Sequence, residues 1–138
     1  LWDTSDGKPL RSLTSHAKPV ESVTFTPDGA FVLTGSEDRS IQILDLKTDQ
    51  SVGSLVGHEG AVRCLACSTD ETLVASGSND TTVRVWSVRD RKLVATIERH
   101  RNTVYGVQFS PDGELLASAG FDRTVYVWSV EQVLAAGV

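Results

Sequence analysis

Three histidines, His16, His58 and His100, each stand 22 residues before an aspartate, Asp38, Asp80 and Asp122. A hydroxyl residue falls between each pair, at Thr34, Ser76 and Ser118. The three aspartates could be read as catalytic carboxylates. Three histidines with carboxylates are also a metal-ligand composition. Cys64-Leu65-Ala66-Cys67 adds a C-x-x-C string, which can bind zinc or cycle between thiol and disulfide. The spacing argues against all three chemistries. The sets recur at 42 residues, so each belongs to its own structural unit and the sets do not converge on one centre. The two cysteines fall in an apolar run that reads as a β-strand, where residues i and i+3 point to opposite faces. No second cysteine pair completes a four-ligand site. The chain has no glycine-rich phosphate loop. The expectation is no catalytic residue, no metal and no cofactor.

The repeat that carries these residues is the main fact of the sequence. Between residues 58–88 and 100–130, 14 of 31 positions are identical, a density that marks duplicated units. In the unit beginning at His58, Ala61 to Cys67, Thr72 to Ser78, Thr82 to Trp86 and Lys92 to Ile97 are short β-compatible runs separated by turn residues. Four such runs describe one antiparallel sheet. Pro27-Asp28-Gly29 and Pro111-Asp112-Gly113 suit tight hairpins. Thr69-Asp70-Glu71 lacks both Pro and Gly, which predicts a looser turn. One such sheet cannot hide both faces, and radial stacking of like sheets hides them with only short edges left over.

His, Ser/Thr, Asp and Trp recur together at fixed offsets, ending in Trp86 and Trp128 and, at the start, in Trp2-Asp3. On these residues nearly the whole chain resembles the WD-repeat β-propellers. The resemblance implies an all-β fold of four-stranded antiparallel blades. The end of a preceding blade would occupy 1–15, with a remnant outer strand at Lys8 to Leu13. Blade one would occupy 16–57, blade two 58–99, and blade three 100–138, its outer strand weak or missing. Residues 131–138 read as a poor strand, a short helix or a frayed end. Propellers take about four to eight blades, so the chain reads as part of a larger ring. Its end is similar to the C-terminal part of a propeller that the protein's own N-terminal segment closes. Residues 16–25 are similar to the WD-repeat subunit shared by the superkiller and polymerase-associated factor complexes.

The resemblance also gives the recurring residues a structural role. Trp86 would donate to Ser76, Ser76 would contact His58, and His58 would contact Asp80. Trp128, Ser118, His100 and Asp122 would repeat the chain, with both tryptophans largely buried. Leu44 stands where blade one needs Trp, so His16, Thr34 and Asp38 would form the weakest set. The positions left to vary are Glu37, Asn79 and Phe121, just before the Asp, and Glu21, Arg63 and Tyr105, at the start of each inner strand. In the family such positions ring the channel mouth. Aromatic and Arg residues are the usual interface anchors, which points to Tyr105, Phe121 and Arg63 as partner-binding. Tyr105 and Phe121 equally read as covering each other. Arg39 and Arg123 read as solvated turn charges.

The class that follows is a non-enzymatic scaffold whose partners are other proteins. The remaining blades or another copy of the chain are further partners. The rivals are a self-assembling partial propeller and the non-catalytic propeller part of a larger enzyme. The net charge of −5 disfavours binding to phosphate backbones, and no apolar run is long enough to span a bilayer. Two cysteines suit a reducing compartment better than a disulfide framework, so the expected location is intracellular, cytoplasmic or nuclear.

Overall fold

The computed structural model describes residues 1–137; Val138, the last residue assigned to blade three, lies outside the described residues. Eleven strands and one helix form three antiparallel sheets. The first sheet contains β1 (Val20–Phe25), β2 (Phe31–Ser36), β3 (Ser40–Asp45) and β4 (Gln50–Val56), in that spatial order. The second repeats it with β5 (Val62–Cys67), β6 (Leu73–Ser78), β7 (Val83–Ser87) and β8 (Lys92–Ile97). The third has only β9 (Val104–Phe109), β10 (Leu115–Gly120) and β11 (Val125–Ser129).

The third sheet is therefore not four-stranded. The chain leaves β11 into helix α1 (Val130–Ala136). Ser129 caps it, its hydroxyl accepting the Gln132 N–H at 3.3 Å, and Gly137 at φ 72° follows its end. Glu131, Gln132, Leu134 and two alanines are better helix formers than strand formers. The remnant outer strand is also corrected. Residues 8–13 form no strand; Pro9 makes a single bridge to Trp2, and the turn between them is closed by Gly7 N–H to Asp3 O at 2.9 Å. A lone two-stranded pairing is marginal, and Pro9 has no N–H to extend the ladder. Arg11 ties this hairpin to the first sheet, donating to Leu46 O at 2.7 Å and pairing with Asp49.

The sheets pack in chain order, β5 against β1 and β2, and β9 against β5 and β6. Leu33, Ile41, Ile43 and Leu55 meet Val62, Val74 and Trp86 between the first two sheets. Cys64, Ala66, Ala75, Val83, Val85 and Ile97 meet Val104, Val107, Phe109 and Leu116 between the second and third. Sheet two thus buries both faces, and its inner strand alternates between the two interfaces. Each fully buried Val or Leu contributes roughly 1.5–3 kcal/mol by leaving water. Glycine permits the close approach: a Cβ on Gly35 would lie 2.6 Å from Val62 Cγ1, and one on Gly77 2.6 Å from Val104 Cγ1.

The turn at Thr69-Asp70-Glu71 is not looser than its counterparts. Glu71 N–H reaches Ser68 O at 3.0 Å, beside 2.8 Å for Gly29 to Thr26 and 2.9 Å for Gly113 to Ser110. Glu71 takes the same left-handed conformation as the glycines, φ 63° against 71° and 76°. A non-glycine residue there costs roughly 1 kcal/mol. Asp70 helps hold it, accepting from the Ser68 hydroxyl at 2.5 Å and the Thr72 N–H at 3.1 Å. Asp28 and Asp112 do the same in their own turns. This Thr/Ser-x-Asp set recurs at the same 42-residue period as the histidine set.

Candidate functional site

Within the second sheet, Trp86 Nε1 donates to Ser76 Oγ at 2.8 Å, and Ser76 Oγ lies 2.7 Å from His58 Nε2. His58 Nδ1 lies 2.7 Å from Asp80 Oδ2. The proton positions follow from the partners. An ionised carboxylate only accepts, so Nδ1 carries the proton, and Ser76, already accepting from the indole, donates to Nε2. Each donor in the chain thus has an acceptor. The third sheet repeats it: Trp128 to Ser118 at 3.1 Å, Ser118 to His100 at 2.9 Å, and His100 to Asp122 at 2.9 Å. In the first sheet His16 lies 2.8 Å from both Asp38 Oδ2 and Thr34 Oγ1. Leu44 presents no donor to Thr34.

The aspartates also hold backbone. Asp80 accepts the N–H groups of Glu59 and Thr82, each at 2.9 Å, and so joins the loop before the inner strand to the turn after the second strand. Asp122 takes the N–H groups of Arg101 and Thr124; Asp38 takes those of Ala17 and Ser40. Burial pushes the Asp38 carboxyl upward. The Ser40 hydroxyl and His16 together outweigh it and hold the group at about 2, below its usual 3.8. Asp80 shows the same contest of burial against His58 and Thr82, and its pKa is also lowered. The Asp122 pKa is lowered chiefly by the Arg101 N–H.

None of these sets has the access a catalytic triad needs. Ser76 is fully buried and its oxygen already accepts from an indole. The three histidine side chains are 1% exposed. Trp86 is buried as expected, whereas Trp128 is only half-buried. Helix α1 replaces the fourth strand beside it and leaves a groove lined by Arg99, Trp128, Gln132 and Val133. The cysteines are free and face opposite interfaces, Cys64 toward sheet three and Cys67 toward sheet one. Burial pushes the Cys64 thiol up to about 12. Burial, then the charges of Glu71, Asp70 and Asp28, pushes Cys67 to about 11. Both are therefore protonated at neutral pH and poor nucleophiles. Among the described residues no cluster of three or more His, Cys, Asp or Glu side chains is placed to hold a metal ion.

The six varying positions fall into two groups. Arg63, at the start of β5, reaches across to the first sheet. It pairs with Glu21 at 2.8 Å and Glu37 at 3.8 Å, and its Nε donates to Asn79 Oδ1 at 2.8 Å. Four of the six thus engage one another, and Arg63 is a clamp between sheets rather than a free anchor. Tyr105 and Phe121 form the second group, an edge-to-face pair with centroids 6.3 Å apart. They do cover each other in part, yet remain 56% and 68% exposed. An apolar hollow of about 580 Å³ lies elsewhere, between the N-terminal hairpin and sheet one, lined by Trp2, Leu10, Val20, Val23, Val32 and Leu44.

Stacked sheets braced by His, Ser/Thr, Asp and Trp define a propeller-blade protein. The WD domain, G-beta repeat family matches residues 7–45, 49–87 and 91–129, each match running from an outer-strand position through the third strand of the next sheet. The chain belongs to the WD40 repeat family. It is similar to the WD repeat-containing protein 55 homolog of Drosophila melanogaster, with 37% identity over 49 residues, 36% of this chain and 10% of that protein. It is also similar to the nuclear distribution protein PAC1 of Komagataella phaffii, with 38% identity over 53 residues, 38% of this chain and 11% of that protein. Among solved structures, U3-55K and the WD40 repeats of RRP9 each superpose with TM-score 0.86 at 26% identity. Each covers 89% of this chain and 39% of its own. The chain thus spans about a tenth of the length of these curated relatives. The finer likeness of residues 16–25 to the superkiller and polymerase-associated factor subunit is not supported by these matches and rests on that segment alone.

Proposed function

We propose that the chain is a non-enzymatic, protein-binding part of a WD40 scaffold, and that it docks partners through the loop end of sheet three. The observation that carries this is the exposed Tyr105–Phe121 pair. Large aromatics cost little conformational entropy when they are immobilised and are enriched at interface hot spots. The buried tetrads support the non-enzymatic reading, since each is consumed in bracing its own sheet. The brace holds the loops that present the pair: Asp122 joins the loop at Arg101 to the turn at Thr124. Two free, protonated thiols fit a reducing compartment, and the proposed location is the cytoplasm or nucleus. No helix among the described residues is long and apolar enough to cross a membrane.

The test is affinity capture from cell extract with the wild-type chain and with the Tyr105→Ala/Phe121→Ala variant, followed by calorimetry on captured partners. The variant should fold normally and lose more than ~1 kcal/mol of binding. A folded variant that keeps every partner at unchanged affinity removes this surface from consideration.

A further inference from the structure

Four positions at the end of each sheet that presents the aromatic pair differ in character from sheet to sheet. They are Ala17, Glu21, Glu37 and Arg39 in sheet one, Glu59, Arg63, Asn79 and Thr81 in sheet two, and Arg101, Tyr105, Phe121 and Arg123 in sheet three. Only the third set combines two cations with two aromatics and contains no carboxylate. Hydrogen bonds fix the loops that carry its members. Phe121 N–H donates to Thr103 O at 2.8 Å, Arg101 N–H to Asp122 at 2.9 Å, and Arg123 N–H to Gly120 O at 3.1 Å. Arg101 and Arg123 are exposed. Among the described residues neither makes an ion pair, whereas Arg11 and Arg63 do. Asp122, the acid beside Arg123 in sequence, is already committed to His100 and two backbone N–H groups. The counterparts divide: Asn79, at the position of Phe121, is exposed although sheet three packs beside it, whereas Glu37 at that position and Arg63 at the position of Tyr105 are half-buried.

We propose that this end of sheet three receives an acidic peptide segment carrying a large apolar side chain. The apolar side chain packs on the Tyr105–Phe121 edge-to-face pair, and flanking carboxylates pair with Arg101 and Arg123. Guanidinium groups bind carboxylates through two parallel hydrogen bonds, which adds direction to the attraction. Charge complementarity sets the choice of partner. A nucleic acid would also present anions and stacking faces. It would need a longer basic track, and here Glu59, Glu37 and Glu21 occupy the same loop end beyond the two arginines. The proposal rests on the reading of this surface as a docking site and specifies what docks.

The experiment is selection of a random displayed peptide library on the full chain. Enriched peptides are then synthesised and titrated against wild type, Arg101→Glu/Arg123→Glu and Tyr105→Ala/Phe121→Ala, with an oligo-dT strand as a separate probe. All variants alter exposed side chains, and thermal melts confirm folding. The expected result is enrichment of Asp or Glu flanking Leu, Phe or Trp, with affinity falling about tenfold or more in each variant and weakening with salt. Hits lost with Tyr105→Ala/Phe121→Ala but lacking acidic residues would overturn the acidic partner and leave the docking surface standing. Hits indifferent to that variant, or no enrichment at all, would overturn both. Oligo-dT binding at equal or higher affinity would replace the peptide with nucleic acid.

Discussion

Ser76 is where the tetrad is most exposed to failure, because its single oxygen serves two buried partners. Removing it in Ser76→Ala leaves the Trp86 indole N–H and His58 Nε2 unpaired in a dry interior. Each such loss costs about 1–3 kcal/mol. Thr34 serves only His16. Thr34→Ala should therefore cost about half as much as Ser76→Ala in urea titrations, and equal losses would refute the idea that Leu44 leaves a simpler network. The aspartates set a pH dependence at the same scale. Asp38 and Asp80 have folded pKa values below their unfolded value of 3.8. A depressed carboxylate contributes stability above its unfolded pKa and loses it as pH falls through the folded value. The contribution of these two aspartates to the unfolding free energy should thus be steady from pH 7 to about 5 and decline from about 4 toward 2. Asp80→Asn should flatten that decline, and an unchanged slope would show that Asp80 is not a source of it.

Glycine sets how closely the sheets approach. Gly77→Ala would place a Cβ 2.6 Å from both Cys64 Sγ and Val104 Cγ1, so sheets two and three must separate. Overpacking of this kind costs about 1–3 kcal/mol, and adding Val104→Ala should restore part of it in a double-mutant cycle. The element scale is also where the sequence was most legible. Strands such as β6 and β10 recur with their turns 42 residues apart, and periodic apolar runs have one economical arrangement. What the repeat hid is physical in origin. Glu71 adopts a glycine conformation because Asp70 and Ser68 hold the turn, a local side-chain hydrogen bond that overrides backbone propensity. Residues 8–13 fail as a strand because pairing depends on neighbours, and here only Trp2 bridges to Pro9. Arg63 read as an anchor by residue type, yet its length lets it reach Glu21 and Glu37 across a sheet boundary, which no linear pattern displays. Tyr105 and Phe121 were legible as a pair because they share one sheet and have no such cross-sheet acid to engage.

At the scale of the whole molecule, two unlike faces remain open. Sheet one shows Val20, Val23 and Phe25, the counterparts of the residues with which β5 and β9 cover their preceding sheets. Sheet three shows Leu115, Val125 and Val127, the counterparts of covered residues in sheet two. A second copy docking head to tail would join them as a heterologous contact, and two copies would close six sheets into a ring, within the range of propellers. The register of that contact argues against it. Val62 meets Gly35 and Val104 meets Gly77, but Val20 of a second copy would meet Ala119, which already carries a Cβ where the internal contacts leave 2.6 Å. Gln108 would also replace Ala66 in the interface. The dilute wild-type chain should therefore sediment without a discrete closed dimer. Ala119→Gly, which removes the overlap, should strengthen head-to-tail association, and Val20→Ala should do so in part. A stable wild-type dimer, weakened by either substitution, would show that these faces are built for each other and would restore self-assembly as the molecule's mode of closure.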